Sequence, residues 1–178
     1  MKKSFQFKAF ILLAFVVFVS NMACGQQIPV ESPFASTSGE VAGSKIEIFY
    51  HSPAVKGRKI WGGLVPYNEV WRLGANDATI FQTSKTIKIA GKTLPAGKYS
   101  LYAVPGRSSW KIIFNSETGQ WGINMDGSTT EDPAKDVLVA TATPVKSSNM
   151  NERFKILVND KGFVVLWENL EVPVLISQ

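Results

Sequence analysis

Beyond residue 44, apolar and polar side chains alternate along most of the chain. In KIEIFYHS, Ile46, Ile48 and Tyr50 fall on one side; in TIKIA, Ile87 and Ile89 do; in SWKIIFN, Trp110, Ile112 and Phe114 do. A period of two puts successive side chains on opposite faces of an extended chain, so each run reads as a half-buried strand. KYSLYAV, DVLVATATPV, ERFKILVN, GFVVLWENL and EVPVLIS continue the pattern, rich in β-branched and aromatic residues and separated by turn clusters. Roughly eight to ten strands are expected. IAGKTLPAGKYSL reads as a hairpin whose connection is punctuated by Gly91, Pro95 and Gly97, and VNDKGFVV turns at Asp160, Lys161 and Gly162. No stretch sustains a helical period, and single turns near PYNEVW and EDPAKDV are the helix candidates. The fold class is all-β, a mainly antiparallel β-sandwich or jelly-roll-like barrel with one long ordered loop.

That loop is SPAVKGRKIWGGLVPYNE, Ser52 to Glu69, which contains no convincing strand. Connections of this length in a compact domain are functional or disordered. Ile60, Trp61, Leu64, Val65 and Tyr67 are residues that pack, which argues against disorder. The loop is expected to lie across the sandwich and to bring Lys56, Arg58 and Lys59 near the segment VWRLGANDATIF, residues 70–81.

The first residues change the charge and the compartment. Lys2, Lys3 and Lys8 precede the apolar run AFILLAFVVFV and then small residues, the pattern of a secretory leader over 1–25. The run is shorter than the roughly 20 residues that span a bilayer, so no membrane span is expected. Residues 26–44 read as a flexible tether holding one short edge strand, and 45–178 as the β-sandwich domain. Ordinary cleavage after this leader makes the protein periplasmic or extracellular. The alternative is a lipoprotein anchored through Cys24, the chain's one cysteine, although Asn21 stands where such a signal carries an aliphatic residue. The formal charge of +5 owes three lysines to the leader; the remainder has 16 basic and 14 acidic residues, a balance of +2. A net charge so small gives no reason to expect nucleic acid as a partner. No cofactor or metal site is expected, because one histidine and no usable cysteine leave only carboxylates as ligands.

Catalytic groups are sparse. His51 is adjacent to Ser52, but neighbours on a strand point to opposite faces, so the adjacency makes no nucleophile and base. Glu69, Asp77, Glu117 and Asp126 lie in loops, and nothing in their spacing selects a pair for acid–base work. VWRLGANDAT is the densest cluster of chemistry: Arg72 for a planar acceptor, Trp71 as an apolar plate, Asn76 and Asp77 as acceptors on a tight bend. Its structural reading is an Asx-type turn pinned by an Arg72–Asp77 pair. Trp110 and Trp167 sit on alternating strands and read as core, whereas Trp61 and Trp121 lie beside glycines, where a ring can face a ligand. Tyr99 reads as a strand-entry tyrosine with a structural hydroxyl bond.

Taken together, YHSPAVKGRKIWGGLVPYNEVWRLGANDAT, GKTLPAGKYSLYAVPG, WKIIFN and QWG resemble the DUF2911 family, a domain of unknown function found largely in exported proteins of Bacteroidetes type. The resemblance runs from about Lys45 to the C-terminus. It implies a β-rich exported domain and no established reaction. The family pattern, Lys-Gly-Arg, then Val-Pro-Tyr-Gly, then Trp-Arg-x-Gly-Ala-Asn-Glu-Ala-Thr, falls here on Lys56 to Arg58, on Pro66 and Tyr67, and on Trp71 through Thr79. Asn68 stands where glycine is usual, and Asp77 replaces the usual glutamate with a shorter carboxylate, a change that favours binding or structure over proton transfer. The resemblance adds weight to a ligand or structural network around Arg58, Tyr67, Arg72, Asn76 and Asp77.

The sequence therefore points to non-catalytic binding of a small polar ligand, a glycan or peptide fragment, by Arg58, Tyr67, Trp71, Arg72, Asn76 and Asp77. A hydrolase using Asp77 or Glu69 with Arg58 or Arg72, and an envelope accessory protein docking a partner chain, are the alternatives. Mass spectrometry of the exported protein should find an N-terminal Gln26, free or cyclised; a diacylated Cys24 would mean lipoprotein processing instead.

Overall fold

The computed structural model describes residues 31–178. The leader read over 1–25 and its processing site lie outside the described residues. Ten strands follow one another: β1 (Phe34–Val41), β2 (Ser44–His51), β3 (Thr79–Thr83), β4 (Ile87–Ile89), β5 (Lys92–Leu94), β6 (Gly97–Val104), β7 (Trp110–Asn115), β8 (Asp136–Ala142), β9 (Val145–Asn159) and β10 (Gly162–Ser177). A 3-10 turn at Pro133–Lys135, inside EDPAKDV, is capped by the Asp132 side chain, which accepts from the Ala134 amide. PYNEVW forms an ordinary turn without a helix.

The strands pair in two antiparallel sheets, one of six in the order β1-β2-β3-β6-β7-β8 and one of four in the order β5-β4-β10-β9. Neither closes on itself, so the fold is a sandwich and the barrel alternative falls. The core lies between them: Ile46 and Ile48 from β2, Trp110, Ile112 and Phe114 from β7, and Phe163, Val165 and Trp167 from β10 are essentially removed from solvent. These are the period-two positions of the sequence, and their burial is the main favourable term for the fold.

Three details depart from the pattern. GFVVLWENL and EVPVLIS are one strand, not two. In β10 the buried hydrophobic side chains are odd-numbered through Trp167 and even-numbered from Val172, and the change of parity coincides with irregular pairing with β9 on either side of Glu168, whose φ is +51°. The surplus residues lie in β9, where Lys155 to Lys146 run opposite Leu166 to Leu170; the ladder is broken there and the faces of β10 exchange around Glu168, which is why the alternation broke in the sequence. The expected hairpin in IAGKTLPAGKYSL is confined to β4 and β5, joined at Ala90 and Gly91 with both φ positive; Pro95 to Gly97 then carries the chain into the other sheet. Tyr99 fastens that corner by donating its hydroxyl to the Pro95 carbonyl at 2.9 Å.

The third detail is at the edge. FASTSGEV, read as part of a tether with one short strand, is an eight-residue strand paired with β2 along its whole length, from Phe34 opposite His51 to Val41 opposite Ser44. Strand pairing thus begins ahead of residue 45. Small and polar residues suit this strand because its alternate positions pack closely on β9: a Cβ on Gly39 would stand 2.8 Å from Val158 Cγ1, and Thr37 Oγ1 accepts from the Val158 amide at 3.3 Å. Among the described residues no helix is long and apolar enough to cross a membrane.

Gly162 opens β10 at φ +147°, and a Cβ there would collide with the Val174 carbonyl oxygen and approach the Ile176 amide nitrogen to 3.0 Å. Gly91, at φ +81°, has open space around it. Gly162→Ala should lower stability in chemical denaturation by about 2–4 kcal/mol, since backbone must move, whereas Gly91→Ala should cost about 1 kcal/mol of conformational strain alone.

Candidate functional site

The bend that contains Arg72 is an excursion from the six-stranded sheet. β3 pairs with β6 as far as Thr79 opposite Leu101; two residues further along β6, Ala103 exchanges hydrogen bonds with Trp71 at 2.7 and 2.8 Å, where continued register would have put residue 77. Residues 72–78 therefore leave the sheet. Thr79 closes the neck, its amide donating to the Arg72 carbonyl at 3.3 Å and its hydroxyl to the Leu73 carbonyl at 2.6 Å. Inside the excursion Leu73 and Asn76 take left-handed conformations, φ +52° and +57°. For Leu73 this costs roughly 1–2 kcal/mol, offset by complete burial of its side chain in the core. The Trp71 indole donates to the Gly74 carbonyl at 3.1 Å.

The long loop from Ser52 to Glu69 is ordered, as its apolar residues required. Ile60, Trp61 and Val65 are buried, and the Val65 and Leu64 amides return to the Ile60 and Lys59 carbonyls. Between this loop and the excursion lies a cavity of about 400 Å³. Arg58, Trp71, Arg72 and Asn76 line it together with Lys56 and Trp167, so four of the six residues expected to bind are brought into one space. The buried wall is Trp167 and Val65; Leu64 is exposed at the rim, and Ile123 contributes from the 116–132 loop. Lys59 is exposed and outside the lining.

The cations at the cavity differ in what they already hold. Lys56 pairs with Glu31 at 2.8 Å. Arg58 folds back on its own loop, Nε donating to the Val55 carbonyl at 3.1 Å and Nη2 to the Ala54 carbonyl at 2.6 Å. Arg72 has neither an ion pair nor a hydrogen bond among the described residues; its Nε is buried without an acceptor, and burial lowers its pKa from the ordinary guanidinium value. Its stem lies against Gly122, where a Cβ would overlap Arg72 Cδ and stand 2.6 Å from Arg72 Cβ. Gly122 is held there by its own amide, which donates to the Asn76 carbonyl at 3.1 Å.

The expected Arg72–Asp77 pin does not form. Asp77 is exposed and faces His51, Oδ2 to Nε2 at 3.5 Å. His51 Nδ1 lies 3.0 Å from the Ser32 carbonyl and 3.1 Å from the Asn76 amide. Asn76 turns its amide nitrogen to the histidine, its side-chain oxygen makes no Asx-turn hydrogen bond among the described residues, and the bend is fastened by Thr79 instead. The two Nδ1 contacts are alternatives: Nδ1–H is given to the Ser32 carbonyl, or a bare Nδ1 accepts from Asn76 Nδ2 and Nε2–H is turned to the Asp77 carboxylate. Ser52 points the other way, as alternation required, and its buried hydroxyl donates to the Phe154 carbonyl at 2.7 Å.

Other candidates lie elsewhere. Tyr67 is outside the cavity lining; its ring covers Gly62 and carries the Arg107 guanidinium at 4.7 Å. Trp61, read as a ring for display, is 8% exposed and belongs to the core, while Trp121 is 54% exposed. Glu117 pairs with Lys135, and Asp126, held below its ordinary pKa by the Ser128 hydroxyl and amide, fastens its own loop. Glu131, which the sequence did not single out, is raised to about 7 by burial and by the neighbouring Asp136. No three metal-ligating side chains cluster among the described residues.

The profile of a family described as a protein of unknown function, DUF2911, matches residues 32–176, nearly the whole described chain. The chain belongs to the DUF2911 family. No curated protein and no solved structure matches it. The DUF2911 match starts at Ser32, so it takes in β1. Of the two departures from the DUF2911 pattern, Asn68 has φ +64°, a conformation that glycine adopts freely and asparagine tolerates. The other, Asp77, points at His51 and away from the cavity, so its missing methylene does not alter the lining. Glu31, Trp167, Ile123 and Gly122 were missed because they come from chain distant from the motif; the glycine in QWG was the one local signal.

Gly122→Ala should therefore act on the site as well as on the fold. The expected outcome is a loss of about 1–3 kcal/mol in denaturation, with the Arg72 side-chain NMR resonance displaced because its stem can no longer lie on the loop. An unmoved Arg72 resonance would disprove this account of the glycine.

Proposed function

We propose that this DUF2911 protein binds a small polar ligand, such as a glycan or peptide fragment, without catalysing its conversion, in the cavity between the long loop and the 72–78 excursion. The carrying observation is Arg72, a half-buried guanidinium lining a cavity without an acceptor among the described residues. Removing a cation from water without a partner costs folding free energy, and a ligand that supplies the acceptor offsets it. The cavity volume falls in the range of small-molecule sites, which combine an apolar lining with a few polar groups. A leader at 1–25 fits such a role outside the cytoplasm.

The hydrolase reading draws on one observation, the contact of His51 with Asp77. It puts the acid–base pair outside the cavity lining, and Glu69 is likewise outside it. The two readings thus place the ligand differently.

Thermal-shift screening of glycans and short peptides separates them. A species present at a hundred times its Kd adds about 2.7 kcal/mol, or roughly 5–10 °C for a domain of this size. Arg72→Lys should leave the unliganded midpoint nearly unchanged, because no protein acceptor is lost, yet abolish most of the ligand shift, because lysine lacks the planar fork. Retention of the shift in Arg72→Lys, with loss in His51→Asn, would move the site to the histidine.

A further inference from the structure

Resting on the binding reading above, we infer that the ligand is a small monocarboxylate with an apolar or ring-bearing body, its carboxylate held end-on by Arg72. Three observations narrow the class. The first is the shape of the donor. Gly122 and its loop close over the Arg72 stem, and Nε is buried, so the edge left to a ligand is the pair of terminal nitrogens. Two parallel N–H donors in one plane match the two oxygens of a carboxylate.

The second is charge. Of the three cations lining the cavity, Lys56 is neutralised by Glu31, and Arg58 has spent Nε and Nη2 on loop carbonyls while its side chain stays in solvent. Among the described residues Arg72 is the lining cation that gives none of its donors to a protein acceptor, and it is partly withdrawn from water. Arg58 keeps its charge but lies in solvent, which screens it, so the one desolvated positive charge matches one negative charge; the second charge of a phosphate monoester dianion would be met only by that screened guanidinium. The third is the remaining wall. Half-buried Trp71, partly exposed Ile123 and exposed Leu64 offer apolar surface to a body attached to the carboxylate, backed by buried Val65 and by Trp167, which stacks on Trp71 at 5.8 Å and 17°. A neutral sugar would leave Arg72 without its charge partner, and a free inorganic anion would leave this surface uncovered.

The test uses the full chain, isotopically labelled, with the Arg72 Nε–H and the Trp71 and Trp167 indole N–H resonances as reporters. The probes are 3-phenylpropionate, its neutral amide 3-phenylpropionamide, phenyl phosphate and methyl glucoside. Fragments of this size bind with a Kd on the order of 1 mM. The expected result is saturable movement of all three reporters by the carboxylate, with affinity about tenfold above that of the amide at neutral pH. In Arg72→Gln that advantage should vanish while the amide binds as before. If this variant does not fold, the ratio of carboxylate to amide in the native chain, and its fall with added salt, carry the same information. Equal or tighter binding of the amide or the glucoside at the same reporters overturns the carboxylate assignment and leaves cavity binding standing. Phenyl phosphate binding more tightly than the carboxylate overturns the single-charge argument. Reporters that no probe moves overturn both this inference and the binding reading.

Discussion

The packing of four indoles and a phenyl ring holds this molecule together and builds its cavity. Trp110 comes from the six-stranded sheet, Trp167 and Phe154 from the four-stranded sheet, Trp61 from the long loop and Trp71 from the neck of the excursion. Trp61 meets Trp110 at 5.1 Å, Trp71 at 6.0 Å and Trp167 at 5.9 Å, all edge to face, and Trp71 meets Phe154 in the same way at 5.4 Å. Each such pair adds roughly 0.5–1.5 kcal/mol to the burial of its rings. The indole N–H groups of Trp61, Trp110 and Trp167 are buried without an oxygen acceptor. Edge-to-face geometry gives them aromatic faces as weak acceptors, which reduces a desolvation cost that a polar core would otherwise have to meet with hydrogen bonds.

From this cluster the cavity follows. Trp61 anchors the long loop, so the backbone on either side, from Pro53 to Val65, is fixed over the end of the sandwich. Trp71, bonded to Ala103 through both backbone groups, fixes where the excursion begins, and Thr79 fixes where it ends. Arg72 is the next residue after Trp71 and has little freedom in where it starts; Gly122 then decides where its stem can lie. The guanidinium is therefore positioned by apolar packing and backbone hydrogen bonds, not by a counter-ion, which leaves its charge available.

Much of the scaffold was legible because alternation is a strong signal where one face is buried. Ile46, Ile48, Trp110, Ile112 and Phe114 were all recognised as inward-facing. The broken ladder around Glu168 defeated the same logic, since parity changes where no turn residue marks it. β1 escaped because an edge strand packed closely on β9 needs small side chains, and FASTSGEV has the composition of a linker. At the site, Trp71, Arg72 and Asn76 could be read from one motif, and Arg58 from the loop that follows His51. The partner of Asp77 could not: it depends on how residue 51 at the end of β2 meets an excursion twenty-five residues later. The family resemblance also placed Tyr67 with the ligand-facing group, whereas its ring is occupied by Gly62 and Arg107.

The order of strands has a kinetic consequence for this cavity. Its wall takes Glu31 from the start of the described chain, Lys56 to Arg72 from the middle, Ile123 from a later loop and Trp167 from the last strand. Contacts between such distant parts of the sequence form slowly, because the intervening loops lose their freedom before the contacts repay it. The indole cluster cannot close until β10 has docked, and the excursion has no support before the cluster closes. Recovery of a Trp71 signal after dilution from denaturant should therefore mark the end of folding, with the cavity arriving in the final step together with the last strand.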